Sequence, residues 1–164
     1  MANKKIEDII NKLLTGDAQK NALDLVAHLQ AAGFTITQND ANDESGWAVA
    51  DLGFIVIMGT DEFPGPWSMW LSAENLGEKL TTPDESLKQF AWANVAPCGS
   101  CGGTCTPGTR TTIFGKVFEN PCQHNLMFTN PDAETVAGMK KNRGYKEERT
   151  WLKSLKQARN PPPP

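Results

Sequence analysis

Apolar residues at Ile6, Ile9, Ile10, Leu13 and Leu14 recur at steps of three and four, the stripe of an amphipathic helix. Thr15-Gly16-Asp17 interrupts the pattern, and Asp17 is placed to cap a second helix. Leu23, Val26 and Leu29 carry that helix forward, and Gly33 is placed as the residue just past its C-terminus. Two helices joined by so short a link predict a helical hairpin. The period then changes. Phe34-Thr35-Ile36-Thr37 alternates as a strand does, and Trp47, Val49 and the apolar run from Phe54 to Met58 predict two more strands. Pro64-Gly65-Pro66 breaks the chain before a fourth strand at Trp67 to Leu71. Short consecutive strands with tight links form an antiparallel meander.

Thr82-Pro83-Asp84-Glu85 reads as a helix start, with Thr82 as cap, Pro83 in the first turn and Glu85 completing a capping box. Leu87, Phe90, Ala91 and Val95 give its buried side, and Pro97 ends it. Residues 98–110 have almost no apolar content and read as a loop. Thr111 to Phe118 predicts a strand or an irregular hairpin around Gly115. Asn130-Pro131-Asp132 is a second helix start, with Asn130 as cap, for a helix running to about Asn142. A further helix is expected over 146–158, and Pro161 to Pro164 form a disordered tail. The expected fold class is α+β: an N-terminal helical hairpin packed on an antiparallel sheet of about four strands, a metal knuckle and C-terminal helices. It forms a single domain over 1–160, with the knuckle at 98–124.

Composition narrows the setting. Apolar residues make up 39% of the 164 and charged residues 21%, which is ordinary globular usage. No apolar run approaches the roughly 18 residues a membrane helix needs. The polar start, Met1 to Lys5, lacks the apolar core of a secretory signal, so a cytoplasmic location is expected. The net charge of −3 is uneven. Residues 1–131 hold 8 Lys/Arg against 15 Asp/Glu, and residues 132–164 hold 8 against 4. The basic terminal segment is read as a solvated face pairing with the acidic body, because an acidic chain repels nucleic-acid phosphates. Homodimerisation through the C-terminal helices is left open by the sequence.

The chemistry is concentrated in four cysteines, Cys98, Cys101, Cys105 and Cys122, spaced C-x2-C-x3-C-x16-C in a chain with no others. Thiolates two residues apart meet one ion when the loop between them turns sharply, and Gly99, Gly102 and Gly103 supply that freedom. Backbone N–H groups in such turns can point at the sulfurs. Four thiolates make a structural zinc site, and the main variant replaces one of them with an imidazole, here His124. His124 is read as a neighbour of the ligand shell in preference to a ligand.

An iron–sulfur cluster is the alternative cofactor. Disulfides fit less well in an intracellular chain. A closed four-cysteine site leaves no open position for substrate, which favours a non-enzymatic role. The competing reading is a metal- or thiol-dependent redox enzyme using an open site near Cys122 and His124.

Other features carry less. Trp47, Trp67, Trp70 and Trp92 could line a pocket for a small apolar ligand, or fill the space between sheet and helices. Trp67 and Trp70, three apart on one strand, must face opposite sides of the sheet. His28, within the second helix, is read as structural. Arg110 and Lys116 near the cluster are read as exposed charge.

The segment from Cys98 to Cys105, followed by Pro107-Gly108, Ile113-Phe114-Gly115-Lys116, Phe118, Cys122 and Phe128-Thr129-Asn130-Pro131-Asp132, resembles a group of small uncharacterised bacterial proteins with the same cysteine cluster. Upstream, Trp47 and Gly65-Pro66-Trp67 extend the likeness to about residues 35–140. The resemblance implies an intracellular bacterial protein and assigns no catalytic residue. The function these features predict is a zinc-stabilised domain that binds a small apolar ligand or a protein partner.

Overall fold

The computed structural model describes residues 5–39, 45–62, 65–72, 85–99 and 108–140, the side chains of 87 and 123–125 excepted. Helix α1, Ile6–Leu13, buries Ile6, Ile9 and Ile10 along the expected stripe. Leu14, just past its end, is also buried, while Leu13 is exposed. Helix α2, Gly16–Ala31, follows at once and turns inward Ala22, Leu25, Val26 and Leu29. The two helices are tied by Gln30 Nε2 donating to Glu7 Oε1 at 2.7 Å and Gln19 Nε2 donating to Asn11 Oδ1 at 3.2 Å.

Asp17 does not cap α2. The helix begins two residues earlier than that cap would allow, Thr15 holds the cap position without a side-chain hydrogen bond, and Asp17 lies in the first turn. The other end is as expected. Gly33 takes φ +79°, its N–H donates to Gln30 O at 2.7 Å, and Phe34 N–H donates to Leu29 O at 2.9 Å. Those two bonds are a Schellman closure, which needs the left-handed residue that glycine supplies without strain.

Strands β1 (Ile36–Gln38), β2 (Gly46–Val49), β3 (Gly53–Ile57) and β4 (Trp67–Leu71) form the antiparallel meander. Strand β1 starts two residues later than the Phe34-to-Thr37 alternation suggests, because the helix closure uses Phe34. The sheet is larger than the four strands expected. Among the described residues it has six, in the order β1-β2-β3-β4-β8-β5. Strand β8, Pro121–Thr129, inserts beside β4, with Trp70 opposite Met127 and Leu71 opposite Leu126. Strand β5, Val95–Pro97, lies at the outer edge against β8.

Helix α3, Glu85–Ala93, therefore stops short of Val95, which becomes a strand residue in place of the helix position expected for it. Its start at Thr82-Pro83-Asp84 lies outside the described residues. Strands β6 (Thr111–Ile113) and β7 (Lys116–Phe118) form a separate hairpin. Phe114 and Gly115 both take positive φ in its turn, the backbone of a tight two-residue hairpin link.

Helix α4, Ala133–Lys140, begins two residues later than the Asn130-Pro131 signal predicted. Its cap is Asp132, whose carboxylate accepts the Thr135 N–H at 2.8 Å. Lys140 donates from Nζ to both carboxylate oxygens of Asp24 on α2, each at 2.7 Å. Thus one basic residue of the terminal segment does pair with the acidic body. The segment expected as a helix over 146–158 and the tail at 161–164 lie outside the described residues.

The sheet has two unlike faces. Trp47, Val49, Ile55, Ile57, Trp67, Met69, Leu126 and Phe128 join α1 and α2 in the main core. The opposite face carries a smaller cluster of Trp70, Ala96 and Cys122, with Phe54, Val56 and Met127 packed beside it. Trp67 and Trp70 do point to opposite sides, and both are buried. No helix among the described residues is long and apolar enough to cross a membrane.

Candidate metal centre

Two of the four cysteines are placed by the outer edge of the sheet. Pro97 on β5 pairs with Pro121 on β8, and Cys98 N–H donates to Asn120 O at 2.8 Å. Cys98 therefore faces Asn120 across the ladder, and Cys122 lies two residues further along β8. In a regular ladder such diagonal neighbours have Cα atoms roughly 7–8 Å apart. The register shifts between Val95 and Pro97, so Cys122 stands where the two strands lose step. Cys98 follows the end of β5, two residues past Ala96, which sits on the face opposite α1 and α2. Cys122 packs with Ala96 and Trp70 on that face, away from α1 and α2.

The two thiols differ in setting. Cys122 is 4% exposed and Cys98 is half-buried. Both are free and not joined to each other. Gly108 fastens the corner between them. Its N–H donates to Cys98 Sγ at 3.4 Å. A Cβ on Gly108 would overlap the Pro121 carbonyl oxygen and approach the Cys122 carbonyl carbon to 3.5 Å. The chain leaving Cys98 thus returns to the same sulfur ten residues later. Cys101 and Cys105, the other expected ligands, lie outside the described residues, as does the side chain of His124. Among the described residues no group of three or more His, Cys, Asp or Glu side chains is arranged to hold a metal ion.

The β6–β7 hairpin lies between Gly108 and Pro121 along the chain and meets α3. Trp92 on α3 donates from Nε1 to Ile113 O at 2.7 Å, and Lys116 Nζ lies 5.3 Å from the ring centres of both Trp92 and Phe118. Arg110 pairs with Glu119 at 3.4 Å, both side chains well exposed. The two cations near the cluster are therefore occupied by local partners.

Of the two readings the tryptophans allowed, three of the four follow core packing: Trp47, Trp67 and Trp70 are buried. Trp47 and Trp67 are buried in the main core. Trp70 stacks on Phe54, with ring centres 5.4 Å apart, and donates from Nε1 to Ser68 Oγ at 2.7 Å. Trp92 is held by the hairpin. An apolar cavity does lie between α2, α4 and the sheet, bordered by His28, Phe34, Leu71, Phe90, Phe128 and Met139, with none of the four tryptophans on its wall. It gives the centre of a water-sized sphere about 30 Å³, room for roughly two waters and far less than a drug-sized ligand fills. Sequence reasoning missed this lining because Leu, Phe and Met in a periodic stripe look the same whether they close a core or border a void.

The chain matches no known protein family, no curated protein and no solved structure.

Proposed function

We propose that the chain is an intracellular, cytoplasmic metal-binding protein in which Cys98, Cys101, Cys105 and Cys122 hold one zinc ion as a closed, non-catalytic site. The observation that carries the reading is the Gly108 N–H donated to Cys98 Sγ beside the strand that bears Cys122. A backbone donor aimed at a sulfur supports a thiolate ligand. Covalent reach adds to it. Cys101 is three residues from Cys98, and Cys105 three residues from Gly108. A chain spans at most about 3.6 Å per residue, so each stays within about 11 Å of the corner.

The burial of Cys122 against Trp70 and Ala96 supports a structural role over an open catalytic position, which would need access for water and substrate. The metal would then fasten residues 98–122, poor in apolar side chains, to the sheet edge. A binding role for the domain rests on weaker support. The small cavity would have to widen before it accepted an apolar ligand.

Metal content and ultraviolet–visible absorption of protein purified without oxygen test the reading. About one zinc per chain in a colourless sample is expected, with the metal lost in Cys122→Ser. A brown sample containing iron and sulfide would replace zinc with a cluster and favour redox chemistry. A metal-free sample that takes up none on titration would overturn the proposal.

A further inference from the structure

We infer that Gly108 is a positioning residue of the metal centre, fixing the Cys98 sulfur through its own N–H while seated on the strand that carries Cys122. This inference rests on the proposed four-cysteine site. Gly108 lies three residues beyond the last cysteine of the C-x2-C-x3-C run, so ligand spacing alone does not mark it. The structure does, through two contacts on opposite sides of the same residue.

On one side its N–H donates to Cys98 Sγ at 3.4 Å, within range of a sulfur-accepting hydrogen bond. On the other, its Cα lies so close to the Pro121 carbonyl that any side chain would collide with backbone. That carbonyl belongs to a residue paired across the ladder with Pro97 and cannot swing aside as a flexible side chain would. The φ of Gly108 is not in the left-handed region, so the demand for glycine here is one of space. Close approach is what delivers the N–H to the sulfur.

The consequence for binding is directional. A hydrogen bond from a backbone amide stabilises negative charge on the sulfur and sets the direction of its remaining lone pairs. Cys98 would enter the site already oriented, whereas a side chain at 108 would lift the amide off the sulfur. Losing such a supporting contact around metal ligands typically weakens affinity about 10–100-fold.

The direct test uses the unaltered protein. Chain labelled with ¹⁵N is loaded with ¹¹³Cd, a spin-active ion that takes zinc's place in thiolate sites. Scalar coupling between the cadmium nucleus and backbone amide protons then reports N–H···S–Cd contacts. A coupling from the Gly108 amide proton is expected. Cadmium bound through cysteine sulfur with no coupling to Gly108 would overturn the inference and leave the metal site standing. Failure to bind cadmium or zinc at all would overturn the site and the inference with it.

A second measurement is Gly108→Ala beside Thr109→Ala, each titrated with cobalt and followed through the sulfur-to-cobalt charge-transfer band. Weakening of at least about tenfold in Gly108→Ala alone is expected. Equal affinity and an unchanged band in both variants would overturn the inference.

Discussion

At the scale of single residues, Trp47 and Trp67 show how a buried polar atom alters a substitution's effect. Both are fully enclosed in the main core, and neither indole N–H finds an acceptor among the described residues. An unpaired buried donor costs about 1–3 kcal/mol. Trp67→Phe removes that donor and leaves a small void, two effects of opposite sign and similar size. The variant is expected to unfold in urea within about 1 kcal/mol of the parent. Ile55 is fully buried between Trp47 and Met69 on neighbouring strands, and it has no such offset. Ile55→Ala is expected to cost about 2–5 kcal/mol; a loss below about 1 kcal/mol would mean the strand relaxes into the void. The opposed faces of Trp67 and Trp70 were legible from their spacing alone. That both are buried was not, because it depends on the second cluster formed with Ala96 and Cys122, which lie far along the chain.

Among the elements, those announced by local chemistry were the readable ones. The stripe of α1, the glycine that closes α2 and the Phe114-Gly115 turn each act within a few residues. Strand β8 was not anticipated, although it lies inside the sheet. Its first half, Pro121-Cys122-Gln123-His124-Asn125, is polar, and only Leu126-Met127-Phe128 resembles a buried strand. Pairing with β4 and β5 supplies what the segment's own composition does not. Helix α4 gives the same lesson at smaller range. Asn130 and Asp132 are both good caps, and the observed φ of +40° at Asn130 leaves the role to Asp132.

Asp132 has its carboxyl held below its ordinary value of 3.8, chiefly by the backbone N–H of Thr135 and then by the Thr135 hydroxyl. A depressed carboxylate contributes stability that is full above the unfolded value and fades as pH falls through the folded one. Asp132→Ala should therefore melt at a lower temperature than the parent at pH 7 and equally so at pH 5. The gap should narrow only below about pH 3.8. A gap that closes between pH 7 and pH 5 would assign the effect to another group. Between β3 and β4, a Cβ at Gly53 would overlap the Trp70 carbonyl oxygen. Gly53→Ala should loosen that pairing and redshift tryptophan emission as Trp70 gains solvent; unchanged emission would show that the strands part elsewhere.

For the molecule as a whole, helices on one face of the sheet and a thiol-bearing corner on the other predict two sources of stability of different kind. The main core, with α1 and α2 against β2, β3 and β4, contains no cysteine. Among the described residues, the β5–β8 edge, where Cys98 and Cys122 stand, has only Trp70, Ala96 and a few half-buried neighbours behind it. If zinc closes that corner, its removal should act locally first. Chelation is then expected to leave far-ultraviolet helix and sheet signals largely intact while changing Trp70 emission, because Trp70 packs with Cys122. The melting temperature should fall as well. A ligand present at a thousand times its dissociation constant stabilises by about 4 kcal/mol, and each kcal/mol shifts a chain of this size by about 2–4 °C. A drop on the order of 10 °C should follow chelation, be reversed by added zinc, and be absent in Cys98→Ser, which should melt at the chelated temperature from the start. Complete unfolding on chelation would show that the main core depends on the corner. Melting that ignores both the chelator and the cysteine substitution would show that the corner holds no metal that matters to the fold.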